Sequence, residues 1–253
     1  MGELPGNYHI KDLVQGVKTE RKEISDRDAR YLAGIFEMGG GMSMRPKNSS
    51  RYPATKWPLD MCVVSKVYFN DNNQDALLDL KGKFGGDVVK VKDKNSWRWI
   101  AQDLQATEIL ERIRPYAPFR SPQIDAFSRL WDGITIDKQL ELAEAFTQHL
   151  HGLKDYPDVE AYRDLVKDPD FLRGVYAARG AQYRYKTDEI LRFNSQNISL
   201  MTALGQEFGL EPIPVVGMQT QREPQDVVPV SFVIDIRNST KEHFLERIAL
   251  PVT

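Results

Sequence analysis

The sequence predicts an α+β protein built from two copies of one structural unit. The first observation is a short segment that occurs twice, at residues 31–40 (YLAGIFEMGG) and 171–180 (FLRGVYAARG), 140 positions apart. Two copies of one rare pattern indicate an internal duplication. The second observation is that each copy is followed by stretches of strand and helix periodicity in the same order. A chain of 253 residues is long enough for two ordinary domains.

The first unit begins with a predicted helix that ends at a run of glycines. Ser25 and the acidic residues after it supply a helix start, because carboxylates suit the positive end of the helix dipole. Residue alternation, apolar spacing and turn residues then predict the rest of the unit. In order, these elements are strands 42–45 and 62–69, a helix over 71–83, strands 87–91 and 96–101, and helices 103–113 and 122–130.

The second unit repeats the same order in a shorter form. Its predicted elements are a helix over 169–178, strands within 181–193, a helix over 198–208, strands near 213–221 and 228–237, and a helix over 240–250. The segment between the units is acidic and longer than a simple tether. Its helical spacing at 140–146 predicts one or two helices packed on the outside. The predicted division is an N-terminal extension (1–24), a first repeat (25–131), a linker (132–167) and a second repeat (168–253).

The composition is that of a folded, soluble, intracellular protein, with 41% hydrophobic and 28% charged residues. The single cysteine, Cys62, excludes an internal disulfide and a cysteine-rich zinc site. The four scattered histidines disfavour a histidine metal site: His9, His149, His151 and His243. No stretch reaches the roughly 18 apolar residues of a membrane span, so no membrane partner is expected. The expected location is cytoplasmic or nucleoid-associated, and an organellar origin stays open because a removed transit peptide would leave no trace.

The net charge of −2 is low for a protein that binds a long duplex, because such proteins usually neutralise phosphates with a basic excess. The distribution of charge matters more than the sum. Acidic residues are concentrated in 132–170, whereas the predicted strands carry most of the lysines and arginines. This segregation is compatible with a basic face.

The repeated segments resemble the LAGLIDADG motif of homing endonucleases and intron maturases. Four further segments occur in the order and spacing of that family: KFGG at 83–86, NSWRW at 95–99, ILERIRPY at 109–116 and RSPQ at 120–123. The resemblance implies two pseudo-symmetric αββαββα repeats with antiparallel, saddle-shaped sheets. It also implies that the two motif helices lie side by side, and that nucleic acid lies along the saddle.

The resemblance places a metal-binding carboxylate at the eighth motif position, which is Gly39 in the first copy and Arg179 in the second. Glycine offers no ligand, and a guanidinium repels magnesium and attracts phosphate. Glu37 lies two residues earlier, about 200° around the helix, so we do not expect it to replace the lost acid. No catalytic residue and no cofactor are therefore expected. Magnesium would be needed only if nuclease activity persisted. Arg179 is either a phosphate ligand or a solvated remnant.

Two further residues fall at positions where the family has residues near its active centre. Arg120 stands where it often has a basic residue, and Gln123 stands where it commonly has glutamine. Either side chain could instead cap the helix that begins near residue 122, which is the default interpretation of Gln123.

The predicted binding surface comes from the strands, because a two-stranded ribbon fits the major groove and alternate side chains project toward the bases. The same alternation is found on any solvent-facing sheet, but basic and amide side chains predominate over acids here. The predicted nucleic-acid-binding residues are Arg45, Lys47, Lys66, Lys90, Lys92, Arg98, Arg120, Arg179, Gln182, Arg184, Lys186, Arg192 and Asn194.

Three functions compete at this point. The leading hypothesis is a protein derived from a homing endonuclease that binds double-stranded DNA without cleaving it. The second is a maturase-like or structural RNA-binding component of a ribonucleoprotein. The third is an active site-specific DNA endonuclease that uses displaced acids such as Glu37. The low net charge and the acidic linker slightly favour a subunit of a larger nucleoprotein assembly.

Overall fold

The structure is a computed structural model that describes residues 23–46, 63–92, 94–130, 136–146, 156–185, 188–215 and 231–249. The predicted residues Lys47 and Lys186 lie outside this part of the chain, as do 216–221 and 228–230 of the last predicted strands.

The first repeat contains α1 (Asp26–Met38), β1 (Gly41–Pro46), β2 (Val63–Asp71), α2 (Gln74–Phe84), β3 (Asp87–Lys90), β4 (Trp97–Gln102) and α3 (Asp103–Ile113), followed by α4 (Ser121–Arg129) and α5 (Ile136–Ala145). The second repeat contains α6 (Pro169–Arg179), β5 (Ala181–Tyr185), β6 (Asp188–Ser195), α7 (Ile198–Phe208), β7 (Ile213–Val215), β8 (Ser231–Arg237) and α8 (Asn238–Ala249).

The predicted αββαββα order therefore occurs twice, and the α+β fold class is confirmed. Each repeat forms a four-stranded antiparallel sheet, ordered β1-β2-β4-β3 in the first and β5-β6-β8-β7 in the second. The two sheets thus have the same topology, as expected of a duplication.

Local sequence explains where the helices begin. The Ser25 side chain accepts a hydrogen bond from the backbone N–H of Asp28 at the start of α1. At α6, the Asp168 side chain accepts from the backbone N–H groups of Asp170 and Phe171. Pro169 is the first helical residue of α6, a position that has no backbone donor to lose. These caps satisfy donors that would otherwise have no intrahelical partner.

One face of each sheet is covered by helices and forms the core. In the first sheet this face carries Met42, Val67 and Trp99, and the indole N–H of Trp99 donates to the carbonyl of Gly85 at 2.8 Å. In the second sheet, Phe193 packs edge-to-face against Phe244 of α8, with 5.3 Å between ring centroids. Among the described residues, the opposite face carries side chains that reach solvent, such as Arg98 in the first sheet and Arg192 in the second.

The chain divides into two compact units that do not follow the predicted repeat boundaries. The unit that contains the second sheet also includes Ser25–Gly40 and Ile113–Arg120, in addition to Lys154–Thr253. The reason is that α1 packs along α6. The other unit contains the first sheet and α2 to α5, apart from the last residue of α3. The division into sequence repeats stays a prediction.

The predicted helical linker is present in part. Helix α5 buries Ala143. Directly after its last residue, the buried Phe146 ring packs edge-to-face on Phe127 of α4, with 5.3 Å between ring centroids. Two short 3-10 turns, Val159–Tyr162 and Leu165–Lys167, precede α6. Across the described ranges, no helix combines the length and apolar character needed to cross a membrane.

Candidate nucleic-acid interface

The two motif helices, α1 and α6, are in direct backbone contact. A Cβ atom added to Gly34 would overlap the carbonyl oxygen of Phe171, and one added to Gly174 would overlap the carbonyl oxygen of Tyr31. Each glycine thus meets the residue three positions before the other glycine. The predicted adjacency of the two helices is confirmed, and glycine is required at both positions because any side chain would push the helices apart.

Charged side chains fix the relative position of these helices. The carboxylate of Asp170 is 2% exposed and lies 3.0 Å from Nε of Arg27 on α1. It also lies 2.9 Å from Nη1 of Arg173 on its own helix. A buried carboxylate needs such partners to offset the loss of hydration. Arg173 in turn donates to the carbonyl of Ile248 in α8, at 3.0 and 2.8 Å.

At the C-terminal ends of the helices, the two substituted motif positions touch each other. Nε of Arg179 donates to the carbonyl of Met38 at 3.4 Å. A Cβ atom on Gly39 would lie 2.9 Å from the same Nε. The guanidinium therefore occupies the space beside Gly39, next to the carbonyl end of α1, where the helix dipole favours a cation.

Glu37 points into a buried polar cluster. Its side chain is 2% exposed, and its carboxylate accepts hydrogen bonds from the Tyr162 hydroxyl, from Nδ2 of Asn197 at 2.9 Å and from the backbone N–H of Arg120 at 3.3 Å. Burial raises the pKa of Glu37 to about 7, although the Tyr162 hydrogen bond and the Arg120 charge act in the opposite direction. Burial and the neighbouring carboxylate raise the pKa of the Tyr162 phenol. These hydrogen bonds hold the Glu37 carboxylate within the buried cluster.

Sequence reasoning missed Tyr162 and Asn197. Asn197 carries one recognisable signal, because it is the N-cap residue of α7 and its side-chain oxygen accepts from the backbone N–H of Leu200 at 3.1 Å. Tyr162 lies in the predicted linker, and no local pattern distinguishes it from a residue on the outside of that segment.

Arg120 also holds the end of α1. Its Nε donates to the carbonyl of Phe36 at 3.3 Å, and its Nη2 donates to the carbonyl of Gly40 at 2.8 Å. The guanidinium carbon lies 5.0 Å from the centre of the Phe119 ring. Arg120 and Arg179 therefore place two cations on the C-terminal carbonyls of one helix. Gln123 is buried in α4 of the other compact unit, at 4% exposure.

These groups line a cleft of about 450 Å³. Its walls include the backbone of Gly39 and Gly40, the two arginines, and polar side chains supplied mainly by the end of β6 and the turn before α7. Among the described residues that line it, Glu37 is the one acid, and that carboxylate faces the buried cluster. The polar lining comprises Arg120, Arg179, Asn194, Ser195, Gln196, Asn197 and Ser231.

The residues of this cleft do not fit the divalent metal that the sequence resemblance implies. Magnesium prefers carboxylate, carbonyl and water oxygens, whereas Gly39 supplies no side chain and Arg179 places a guanidinium beside it. The carboxylate of Glu37 is already occupied by hydrogen-bond donors. Within the described ranges, no three His, Cys, Asp or Glu side chains are grouped as metal ligands.

Strand register sorts the predicted basic residues of the first sheet onto two faces. Lys66 pairs with Gln102, and Arg98 pairs with Asn70, on the solvent face. Lys90 pairs with Trp97, which places it on the face that carries Trp99, and its Nζ lies 6.0 Å from the Trp97 ring centre. Lys92 follows in the exposed turn after β3. For Arg45 the structure describes the backbone pairing with Val64 but not the side chain.

The second sheet shows the same separation. Arg192 and Asn194 are exposed on the solvent face of β6. Gln182 pairs with Leu191, and Arg184 pairs with Glu189, so both lie in the register of the opposite face. The Gln182 amide donates to the Tyr176 hydroxyl at 3.0 Å. The simple alternation predicted from sequence therefore grouped residues that the sheet keeps apart.

The solvent-facing arginines of both sheets are held by neighbours that sequence reasoning missed. Arg192 donates through Nε and Nη2 to the two oxygens of Asp235, at 2.6 and 2.7 Å, and lies 4.8 Å over the Tyr183 ring. Their hydrogen bonds raise the pKa of Arg192 and lower that of Asp235. Arg98 donates to Oδ1 of Asn70 at 2.6 Å and lies 4.7 Å over the Tyr68 ring.

Comparison with known proteins identifies the fold. No protein-family model and no curated protein sequence matches the chain. Among solved structures, the I-SmaMI LAGLIDADG homing endonuclease bound to cleaved DNA is 15% identical, with a TM-score of 0.56 over 91% of this chain and 85% of that one. The LAGLIDADG homing endonuclease I-GzeII in complex with its DNA target is 10% identical, with a TM-score of 0.56 over 88% and 84% of the two chains. The chain thus has the two-repeat fold of these endonucleases.

Proposed function

We propose that this protein binds double-stranded DNA without cleaving it. The observation that carries the proposal is the contact between Arg179 and Gly39, because it places a fixed cation at the motif ends and leaves no acid there to hold a metal. A guanidinium can bind a phosphate through charge-assisted hydrogen bonds. It cannot lower the pKa of an attacking water as a metal ion does.

The solvent faces of the two sheets support binding of nucleic acid. They present Lys66 and Arg98 in the first sheet and Arg192 and Asn194 in the second, which are side chains able to contact phosphates and base edges. Asn194 of the second sheet is exposed on its solvent face and also lines the cleft beside Arg179. Both solved structures of this fold that were compared above are complexes with DNA.

Duplex DNA is favoured over RNA because paired strands with alternating polar side chains match the dimensions of a B-form major groove. The major groove of an A-form RNA helix is too deep and narrow for such contacts. The low net charge of −2 suits a protein that works inside a larger nucleoprotein assembly, where partners share the neutralisation of phosphates.

The binding test measures the wild-type protein by gel shift against a randomised duplex library, with structured RNA as competitor. We expect duplex DNA to be bound and the RNA to compete poorly. Preferential binding of RNA would instead support the maturase-like function, and absence of binding to either would refute the proposal.

The cleavage test uses duplexes recovered from that library, with magnesium or manganese present. We expect no strand breaks from the wild-type protein. The informative variant combines Gly39→Asp with Arg179→Asp, since removal of Arg179 makes room for a side chain at position 39. Metal-dependent breaks from this variant alone would support lost catalysis, whereas specific cleavage by the wild-type protein would refute it.

A further inference from the structure

Arg192 is held in one orientation on the solvent face of the second sheet. Asp235 accepts from its Nε and Nη2, and the Tyr183 ring lies beneath its guanidinium. Tyr183 itself donates to Asp235 at 3.2 Å. The Arg192 side chain is nevertheless 45% exposed, while that of Asp235 is 13% exposed. A preorganised side chain that keeps access to solvent loses little rotamer entropy when it binds a ligand.

The geometry of the guanidinium determines what it offers to a ligand. A planar guanidinium has two edges that can each donate a pair of hydrogen bonds. Asp235 takes the edge formed by Nε and Nη2. The edge formed by Nη1 and Nη2 is the one that does not serve as the paired contact with Asp235.

A base edge fits this donor pair better than a phosphate does. The carboxylate of Asp235 offsets the positive charge of Arg192 and so weakens its attraction for an anionic phosphate, although Arg237 also approaches that carboxylate, at 3.6 Å. Guanine is neutral and presents N7 and O6 as a pair of acceptors in the major groove. The arrangement recurs in the first sheet, where Asn70 and Tyr68 hold Arg98.

We propose that Arg192, positioned by Asp235 and Tyr183, determines sequence specificity by binding the major-groove edge of one guanine. This inference rests on the proposed binding of duplex DNA. Arg192 contacts the base, whereas Asp235 and Tyr183 are positioning residues that fix the orientation of the guanidinium.

The test selects duplexes from a randomised library with the wild-type protein and with Arg192→Gln. We expect one guanine of the wild-type motif to lose its preference in the variant, with discrimination at that position falling by about 5- to 150-fold. The remaining positions should be unchanged. Arg192→Lys keeps the charge but replaces the planar pair of donors with a single ammonium group. A weaker preference for the same guanine in this variant therefore guards against a folding defect in the first one.

Two further variants test the role of Asp235 and provide a control. Asp235→Asn leaves Arg192 in place without its charged partner, so we expect a weaker preference for the same guanine without loss of overall affinity. Arg163→Gln removes an exposed arginine that pairs with Glu160 outside the sheet, and it should reproduce the wild-type motif. Matching melting curves would show that all four variants are folded.

The outcomes distinguish this inference from the proposed function. If Arg192→Gln weakens all duplexes uniformly and lowers the salt dependence by about one phosphate contact, then Arg192 binds the backbone and the inference is wrong. An unchanged motif, or wild-type binding without sequence preference, also overturns the inference but leaves duplex binding intact. If the wild-type protein binds no duplex at all, the proposed function is wrong, and the inference that rests on it is wrong as well.

Discussion

At the scale of single residues, Gly39 and Arg179 form one arrangement, because the two residues contact each other. The guanidinium of Arg179 lies where a Cβ on residue 39 would approach to 2.9 Å, so the absence of a side chain at one position makes room for the long side chain at the other. The sequence shows glycine and arginine at the two positions where the resemblance to the family implies carboxylates. It could not show that the two replacements contact each other, because 140 positions separate them along the chain.

This contact predicts energetic coupling between the two positions. Gly39→Ala should destabilise the wild-type protein more than it destabilises the Arg179→Ala variant, because the crowding is relieved once the guanidinium is removed. We expect a coupling energy of about 0.5–1 kcal/mol, at the lower end of the range for residues in contact. Urea unfolding of the wild type, both single variants and the double variant measures it. Additive changes in the free energy of unfolding would contradict the contact.

Glu37 predicts a specific dependence of stability on pH. Its pKa is raised from 4.5 to about 7 in the folded protein, so between these values the folded state binds more protons than the unfolded state. The free energy of unfolding should therefore fall as pH rises from about 4.5 to about 7, by an amount on the order of 3 kcal/mol. Below and above this window Glu37 contributes no slope.

The control for this prediction is Glu37→Gln, which cannot titrate. Subtracting its stability curve from that of the wild type should isolate the fall between pH 4.5 and 7. A flat difference would mean that folding does not raise the pKa of Glu37, and a difference that rises with pH would mean that folding lowers it.

At the scale of secondary-structure elements, the order of helices and strands was predictable because apolar periodicity, caps and turn residues are local properties. The register in which neighbouring strands pair could not be predicted in this way. Lys66 and Lys90 look equivalent in a list of alternating basic residues, yet their pairing with Gln102 and Trp97 directs them to opposite faces of one sheet. Pairing depends on residues that are distant in sequence, so only the structure resolves it.

Sheet register makes a prediction about binding. Reversing the charge of Lys66 and Arg98 together should weaken duplex binding by about 1–3 kcal/mol if each makes a strong charged contact, and it should reduce the salt dependence. Lys90→Glu should have a smaller effect, because this residue lies in the register of the helix-covered face. Fluorescence anisotropy titrations at several salt concentrations provide the measurement. A larger loss from Lys90→Glu would move the binding surface away from the solvent face.

The helix contact makes a prediction about stability. Gly34→Ala and Gly174→Ala should each destabilise the protein by about 2 kcal/mol or more, because the added methyl meets backbone carbonyls that cannot move independently of their helix. Gly82→Ala in α2 is the matched control, since a Cβ there meets no atom within 4 Å. That substitution should leave stability unchanged or raise it by about 0.5–1 kcal/mol through better helix propensity. Equal melting temperatures for all three variants would exclude a close helix contact.

At the scale of the whole molecule, the duplication was the most informative feature of the sequence. It predicted two sheets of the same topology, which the structure contains, whereas the adjacency of the motif helices was implied by the resemblance to the LAGLIDADG family. It did not predict the buried cluster of Glu37, Tyr162 and Asn197. That cluster joins a motif helix, the segment between the repeats and the second repeat, so no single repeat encodes it.

The reciprocal glycine contact between α1 and α6 also has a consequence for how such a chain can diverge. Because each motif helix offers both a glycine and the carbonyl that receives the other glycine, two identical copies of one repeat would fit together around a twofold axis. Identical copies, however, would carry either two arginines or two glycines at the helix ends. Two halves with different sequences can instead carry different residues at the helix ends, so that one end supplies the arginine and the other gives it space. The difference between the two halves is therefore what allows the Arg179 guanidinium to occupy the space beside Gly39.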